Sequence, residues 1–395
     1  MNFKEPARAL EAEITEHRHW LHRHAELSFE EKETTKYLLS ELEKMQIPVT
    51  SFADYNGCIA HIKGAKPGKT VLLRADIDAL PTVENSGVDY ASEHPGVMHA
   101  CGHDCHTAML LGAAKLLKSV ESEISGNVEL LFQSAEEAFT GSHYYLDKGY
   151  LKGVDAAYGM HVWPGLPEGQ IDAADGPRMA SCDNFVLTVH GLSAHGSTPQ
   201  YAKDAIVAAS SIILNLQTLV SRFNDPRNPL VITVGTIKAG TQFNIITDTA
   251  VMEGTIRTFD QKIRKTIEPA MRKLVTETAE ALGCTAELDY QWLEEPVINA
   301  HEALTETARQ AAAKIVGKEN VAASPCGMGS EDFGYIMESI PSVFAFMGVE
   351  NKDYGAVWSL HSDKFRVNDA VLPVGAAQYA QFAYDYLENA AKEGV

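Results

Sequence analysis

Three histidines and two cysteines, all able to bind a metal, crowd into one octapeptide, His99-Ala-Cys101-Gly-His103-Asp-Cys105-His106. The whole chain of 395 residues holds only 15 histidines, so chance alone accounts poorly for the cluster. Thiolate and imidazole suit zinc and its neighbouring transition metals. A run of buried small and polar residues is the plainer alternative. No second ligand pair has zinc-finger spacing, so further donors must come from distant parts of the chain. Leu130-Leu-Phe-Gln-Ser-Ala-Glu136-Glu137 runs from an apolar strand into adjacent carboxylates, and Tyr158-Gly-Met-His161 ends a second apolar run in a histidine. Asp76-Ile-Asp78 follows a third run ending at Leu73. Sites in open α/β sheets form at the carboxyl ends of strands. Three such ends carrying donors point to a metal centre.

The elements that would position these groups can be read from periodicity. Ala7 to His24 and Glu30 to Lys44 read as amphipathic helices, with Ser28 as a cap before the second. Val71 to Leu73, Val128 to Phe132, Ala156 to Met160 and Val343 to Phe346 read as buried strands, with a helix from Thr107 to Val120 between the first two. This alternation predicts an α/β catalytic domain, an open mixed sheet between helices. Near Asp183 the pattern changes. Alternating Phe185, Leu187 and Val189, helix 204–220, strands near 230–237 and 250–257, helix 261–282 and strand 286–292 give the order β-α-β-β-α-β. That is a ferredoxin-like, split βαβ unit. We place it at 183–297 as an insertion, leaving 1–182 and 298–395 as the metal-binding domain.

Charge and composition narrow the function. A formal charge of −20 disfavours nucleic acid and anionic membrane surfaces as partners. The charged N-terminus does not read as a signal peptide, and no stretch of ~18 uninterrupted apolar residues stands out. Six scattered cysteines do not form a disulfide framework. The expectation is a cytoplasmic protein; the charge says nothing positive about its substrate.

The segments LLRADIDALP, MHACGHDCHTAML, LLFQSAEEAFTGS, YGMHVWP, VHGLSAHGSTPQ, NIITDTAVMEGTIRTF, MGSEDFG and LHSDKF make a more specific case. In that order they resemble the motifs of the aminoacylase/carboxypeptidase superfamily of dinuclear metallohydrolases. They are most similar to its amidohydrolase branch, with its hippurate hydrolases, auxin-conjugate hydrolases and N-acetyl-diaminopimelate deacetylases. The resemblance runs from Arg23-His24 to about Phe365. It implies two divalent metal ions (zinc, manganese, cobalt or nickel) held by Cys101, His103, Glu137, His161 and His361. It also implies Glu136 as general base and Asp78 as a carboxylate orienting a ligand. The wider superfamily has a histidine ligand where this chain has Asp76, whose role stays open. Proline is usual where this chain has Ala25.

His195 matches a histidine that reaches the neighbouring subunit's site across a homodimer formed by the lid domain, and Asn244 matches an asparagine of similar role. Without the resemblance, His195, Asn244 and His361 are ordinary loop residues. Arg257 is a candidate for holding a substrate carboxylate, and equally for a structural ion pair. Ser330-Glu331-Asp332 lies in a matching motif without an individual role. His17, His19, His22 and His24 read as a solvated helix face, and His99 and His106 as either ligand supports or packing. The implied reaction is hydrolysis of N-acyl amino acids to a carboxylic acid and a free amino acid. A dipeptidase or aminopeptidase of the same superfamily is the alternative.

Overall fold

A computed structural model describes residues 1–393, which divide into two compact units. The larger comprises Met1–Arg178, Ile298–Pro325 and the chain from Tyr335 onward. Its sheet has eight strands in the order Val49–Ser51, Gly57–Lys63, Ser125–Gln133, Lys66–Asp76, Ala156–Pro167, Ser342–Glu350, Ile171–Asp172, Val321–Ala322. The four strands from Ser125–Gln133 to Ser342–Glu350 are mutually parallel, and Gly57–Lys63 on one side and Ile171–Asp172 on the other pair with them antiparallel. These central strands read as continuous apolar runs because they are buried on both faces; every residue from Val71 to Asp76 is buried. Helices His103–Ser119 and Leu372–Glu393 pack closely together. A Cβ on Gly375 would stand 1.9 Å from Met109 Sδ, so a larger residue there would have to displace the Met109 side chain.

Local structure departs from the sequence reading in informative places. The first helical stretch breaks into Lys4–Arg8 and Glu11–Arg23, and the next helix is Lys32–Lys44 with Glu31 at its N-cap. Ser28 is therefore no cap; its hydroxyl donates to Asp78 at 2.7 Å. Helix His103–Ser119 starts a turn earlier than periodicity suggested, because its first residues face buried polar partners and carry no apolar stripe. Strand Ala156–Pro167 continues beyond His161, although its pairing with Lys66–Asp76 ends at Gly159.

The smaller unit comprises Met179–Val297 and Cys326–Gly334. Its strands Cys182–His190, Leu230–Ala239, Thr249–Thr258 and Thr285–Glu294 are ordered second-third-first-fourth, all antiparallel. This is the ferredoxin-like arrangement. Asp204 and Asp260 cap helices Ala205–Thr218 and Gln261–Ala281 by accepting two backbone N–H bonds each. Phe185, Leu187, Ile212, Leu216, Met252, Met271 and Val275 form the core beneath those helices. The segment Cys326–Gly334 comes from a stretch the sequence reading gave to the larger domain. It is tied here by Ala180 N–H to Gly329 O at 2.8 Å. Ala205–Phe223 is long and apolar enough to cross a membrane by length and composition. One face of it packs on the sheet, while Val207 and Leu214 stay exposed.

Candidate metal centre

Four overlapping groups of donor atoms, each within 4.8 Å of one another, assemble in the larger unit: Cys101, His103 and His161; Cys101, Glu137 and His361; His103, Glu136 and Glu137; and Asp76, His103 and His106. Gly102 makes the first possible. It caps helix His103–Ser119 at φ 89°, where a Cβ would meet Val162 Cγ2 at 2.5 Å. The chain thereby turns sharply between Cys101 and His103 so that both reach one point.

His103 and His161 are each oriented by a bond on the far side of the ring, as metal sites require. His103 Nδ1 donates to Asp78, at 2.9 Å from the carbonyl and 3.2 Å from Oδ1. That leaves Nε2 bare, 3.9 Å from both Glu136 and Glu137. His161 Nδ1 donates to Val162 O at 2.6 Å, and its Nε2 lies 3.4 Å from Cys101 Sγ. His361 Nε2 is 3.4 Å from Glu137 Oε1; its backbone, at φ 64°, is pinned by His361 N–H to Ala100 O at 2.8 Å.

Adjacent glutamates on one strand end must point different ways, and the backbone arranges this. Ala135 sits in the left-handed region at φ 61°, which costs a residue with a Cβ about 1–3 kcal/mol. Its N–H is accepted by Glu31 at 2.9 Å, and the Glu137 N–H by Asp78 at 3.0 Å. Burial, then the charge of Asp78, pushes the Glu31 carboxyl up to about 7.

The donors fit divalent cations. His103 Nε2 and Glu137 Oε1 are buried with no hydrogen-bond partner, which is expensive unless something fills the gap. Burial, reinforced by Glu137 and Glu136, pushes the Cys101 thiol well above its usual range, so ionisation there needs a cation. Burial alone would lower His103, but Asp76, Asp78 and Glu137 outweigh it and raise the imidazole to about 10. The site is starved of positive charge. Sulfur, nitrogen and carboxylate together suit zinc and its neighbours.

In the fourth group, Asp76 and His106 are already bonded to one another. The Asp76 carboxylate accepts from His106 Nδ1 at 2.6 Å and from Arg74 at 2.7 Å. His99 joins none of the donor groups, and both its ring nitrogens are buried without partners. The histidines of the second helix are not a solvated face, since His17 and His22 are buried. His22 bonds Asp104 at 2.9 Å and Glu84 at 3.1 Å, partners that come from far along the chain.

In the smaller unit His195 and Asn244 lie side by side. His195 pairs with Ile245 across a two-residue ladder, and Gly196 N–H donates to Asn244 O at 2.7 Å. His195 is exposed, its Nδ1 2.7 Å from Ser197 Oγ. Arg257 is bonded to two hydroxyls, Thr255 at 3.1 Å and Ser330 at 3.0 Å. The sequence reading missed Ser28 and Glu31, which lie in an acidic stretch that looks like a solvated helix start.

A profile of the peptidase family M20/M25/M40 matches residues 72–385. N-acetyl-L-cysteine deacetylase of Bacillus subtilis strain 168 is 40% identical over 341 residues, covering 86% of this chain and 81% of its own. IAA-amino acid hydrolase ILR1-like 4 of Arabidopsis thaliana is 38% identical over 371 residues, covering 93% and 84%. Among solved structures, the Bacillus subtilis YXEP protein is described as a dinuclear metal-binding peptidase from the M20 family. It matches with a TM-score of 0.85 at 35% identity, covering 96% of this chain and 99% of that one. With donor geometry, fold and sequence in agreement, the chain belongs to the peptidase family M20/M25/M40.

Proposed function

We infer that this protein is a metal-dependent amidohydrolase that cleaves the amide bond of N-acyl amino acids, releasing a carboxylic acid and a free amino acid. The observation that carries the reading is the pair Glu136 and Glu137 at the head of overlapping donor groups. Glu137 belongs to two of those groups, one with His361 and one with His103, and Glu136 joins the second. Relatives named for N-acetylcysteine deacetylation and IAA-amino acid hydrolysis support the substrate class.

Cys101, His103, Glu137, His161 and His361 hold two divalent ions, which when bound supply Lewis acidity toward water and the amide carbonyl. The donor set suits zinc, with manganese, cobalt or nickel as competitors. Glu136 takes the proton of the attacking water and returns it to the departing nitrogen. Asp78 holds His103 in the tautomer that leaves Nε2 open. Arg257, whose guanidinium bonds hydroxyls, is available to the substrate carboxylate, and Asn244 is a second substrate contact. His195 stabilises the developing oxyanion in the site of a second copy, within a homodimer formed by the smaller unit. Its exposure and the exposed apolar side chains Val207 and Leu214 support that arrangement. Six unpaired cysteines support a reducing, cytoplasmic setting.

Steady-state rates on N-acetyl, N-benzoyl and indole-acyl amino acids, set against free-amine dipeptides, test the substrate class. Glu136→Gln should keep its metal and lose about 10²–10⁴-fold in rate, whereas Glu137→Gln should lose metal as well. Faster turnover of dipeptides, or a Glu136→Gln enzyme keeping more than about a tenth of the rate, would overturn the reading.

A further inference from the structure

The Glu136-Glu137 pair is held from behind by two buried carboxylates, Asp78 just past strand Lys66–Asp76 and Glu31 near the N-terminus. Ser28 steadies Asp78, which takes the Glu137 N–H at 3.0 Å. Three residues on, Glu31 is fully buried and takes the Ala135 N–H at 2.9 Å. The other Glu31 oxygen accepts from Asn56 Nδ2 at 3.1 Å. Gly141 closes the underside, where a Cβ would stand 2.1 Å from Ser134 O. Ala135 therefore has little freedom to leave its left-handed conformation while Glu31 stays in place. A flip there would turn both following side chains.

We propose that Glu31 is a positioning residue for the metal centre: by accepting the Ala135 N–H it holds the turn that aims Glu137 at the donor groups and Glu136 beside them. The carboxylate bonds Asn56 and the Ala135 N–H and acts through the backbone. This rests on the roles given above to Glu136 and Glu137. The backbone geometry is independent of which of the two moves the proton. A buried glutamate is an expensive way to satisfy the Ala135 N–H and one side-chain amide, which argues that the conformation it secures matters.

The test uses the full-length protein stripped with EDTA and titrated with Zn²⁺, read by metal dissociation constant, kcat and KM, and by melting of the stripped form. Glu31→Ala should weaken Zn²⁺ binding and lower kcat by about 10–100-fold each, the range seen when groups supporting a ligand are removed, with KM changed less. Glu31→Gln keeps an acceptor for Ala135 and should recover most of both. Ala135→Gly removes the penalty of the left-handed conformation. In the Glu31→Ala background it should restore part of the loss, a coupling that a general loss of stability would not produce. If Glu31→Ala does not fold, Glu31→Asp, which withdraws the carboxylate by one methylene, should show the same losses. Zn²⁺ affinity and kcat within about twofold of wild type would overturn the proposal, as would losses that neither Gln nor Ala135→Gly relieves. Glu137→Gln measured in parallel separates the two readings. If it binds Zn²⁺ normally, the assignment of Glu137 fails; if it loses Zn²⁺ while Glu31→Ala does not, only the role of Glu31 fails.

Discussion

His106 accepts the backbone N–H of Val162 on Nε2 at 2.9 Å. That single bond fixes the imidazole's tautomer, because Nδ1 must then carry the proton it gives to Asp76 at 2.6 Å. The chain Arg74, Asp76, His106, Val162 ends on the residue whose carbonyl takes the His161 Nδ1 proton. The first turn of helix His103–Ser119 is thus tied to the strand that carries the opposing donor. Where the wider superfamily, by the resemblance, places a metal-binding histidine, this chain has Asp76 as the anchor of a hydrogen-bonded strut.

His106→Leu should cut that strut. It leaves the buried Val162 N–H without a partner, at about 1–3 kcal/mol, and leaves the Asp76 carboxylate only its bond from Arg74. Stability should fall by that order in urea unfolding of the metal-free protein. Zn²⁺ affinity should fall with it as His161 loosens. His106→Gln, whose carbonyl can reach toward Val162, should lose less. A leucine variant as stable as wild type would remove the strut from the account.

Protonated His22 should make stability depend on pH. Burial alone would lower its pKa, but the charge of Asp104 and hydrogen bonds to Asp104 and Glu84 outweigh burial and raise it to about 9. The unfolded imidazole titrates near ~6.5. The folded value is higher, so the contribution is complete below about pH 6.5 and is lost as pH rises through about 9. The melting-temperature gap between wild type and His22→Leu should be widest near pH 6 and shrink toward pH 10. A gap that stays constant or grows over that range would refute the protonated pair.

His195 offers a test by complementation. Removing an oxyanion donor typically lowers rates about 10²–10³-fold, so His195→Ala and Glu136→Gln should each be nearly inactive. Mixed and exchanged, the two should recover roughly a quarter of wild-type activity, since half the dimers are hybrids with one intact site each. Verified subunit exchange without recovery would place His195 in its own chain's chemistry or outside it.

How far the sequence alone could be read depends on how local each signal is. Cys101 and His103 declare themselves by density, and Glu136-Glu137 by following an apolar strand. The ferredoxin-like order of the smaller unit was legible because alternating strands and amphipathic helices are short-range patterns. His361 was not, because a lone histidine in a polar loop gains meaning only when Glu137 comes within 3.4 Å of it. Ser28 and Glu31 were hidden for a related reason. An acidic run before a helix looks solvated, and only the fold buries Glu31 under Ala135. His22 was misjudged because its partners lie 82 and 62 residues away. Cys326–Gly334 joins the smaller unit through contacts that no local pattern records.

The donors also differ in how they meet solvent. Cys101, His103 and His161 are 7%, 0% and 3% exposed, whereas the His361 side chain is 55% exposed. If these residues hold two ions, exchange with the surrounding solution should be lopsided. An ion held in part by His361 would trade faster with chelators and rival metals than one held by His103 and His161. Scarce metal would then leave a half-loaded form, and Cys101, which stands in both donor groups, would keep one of its two metal contacts in it.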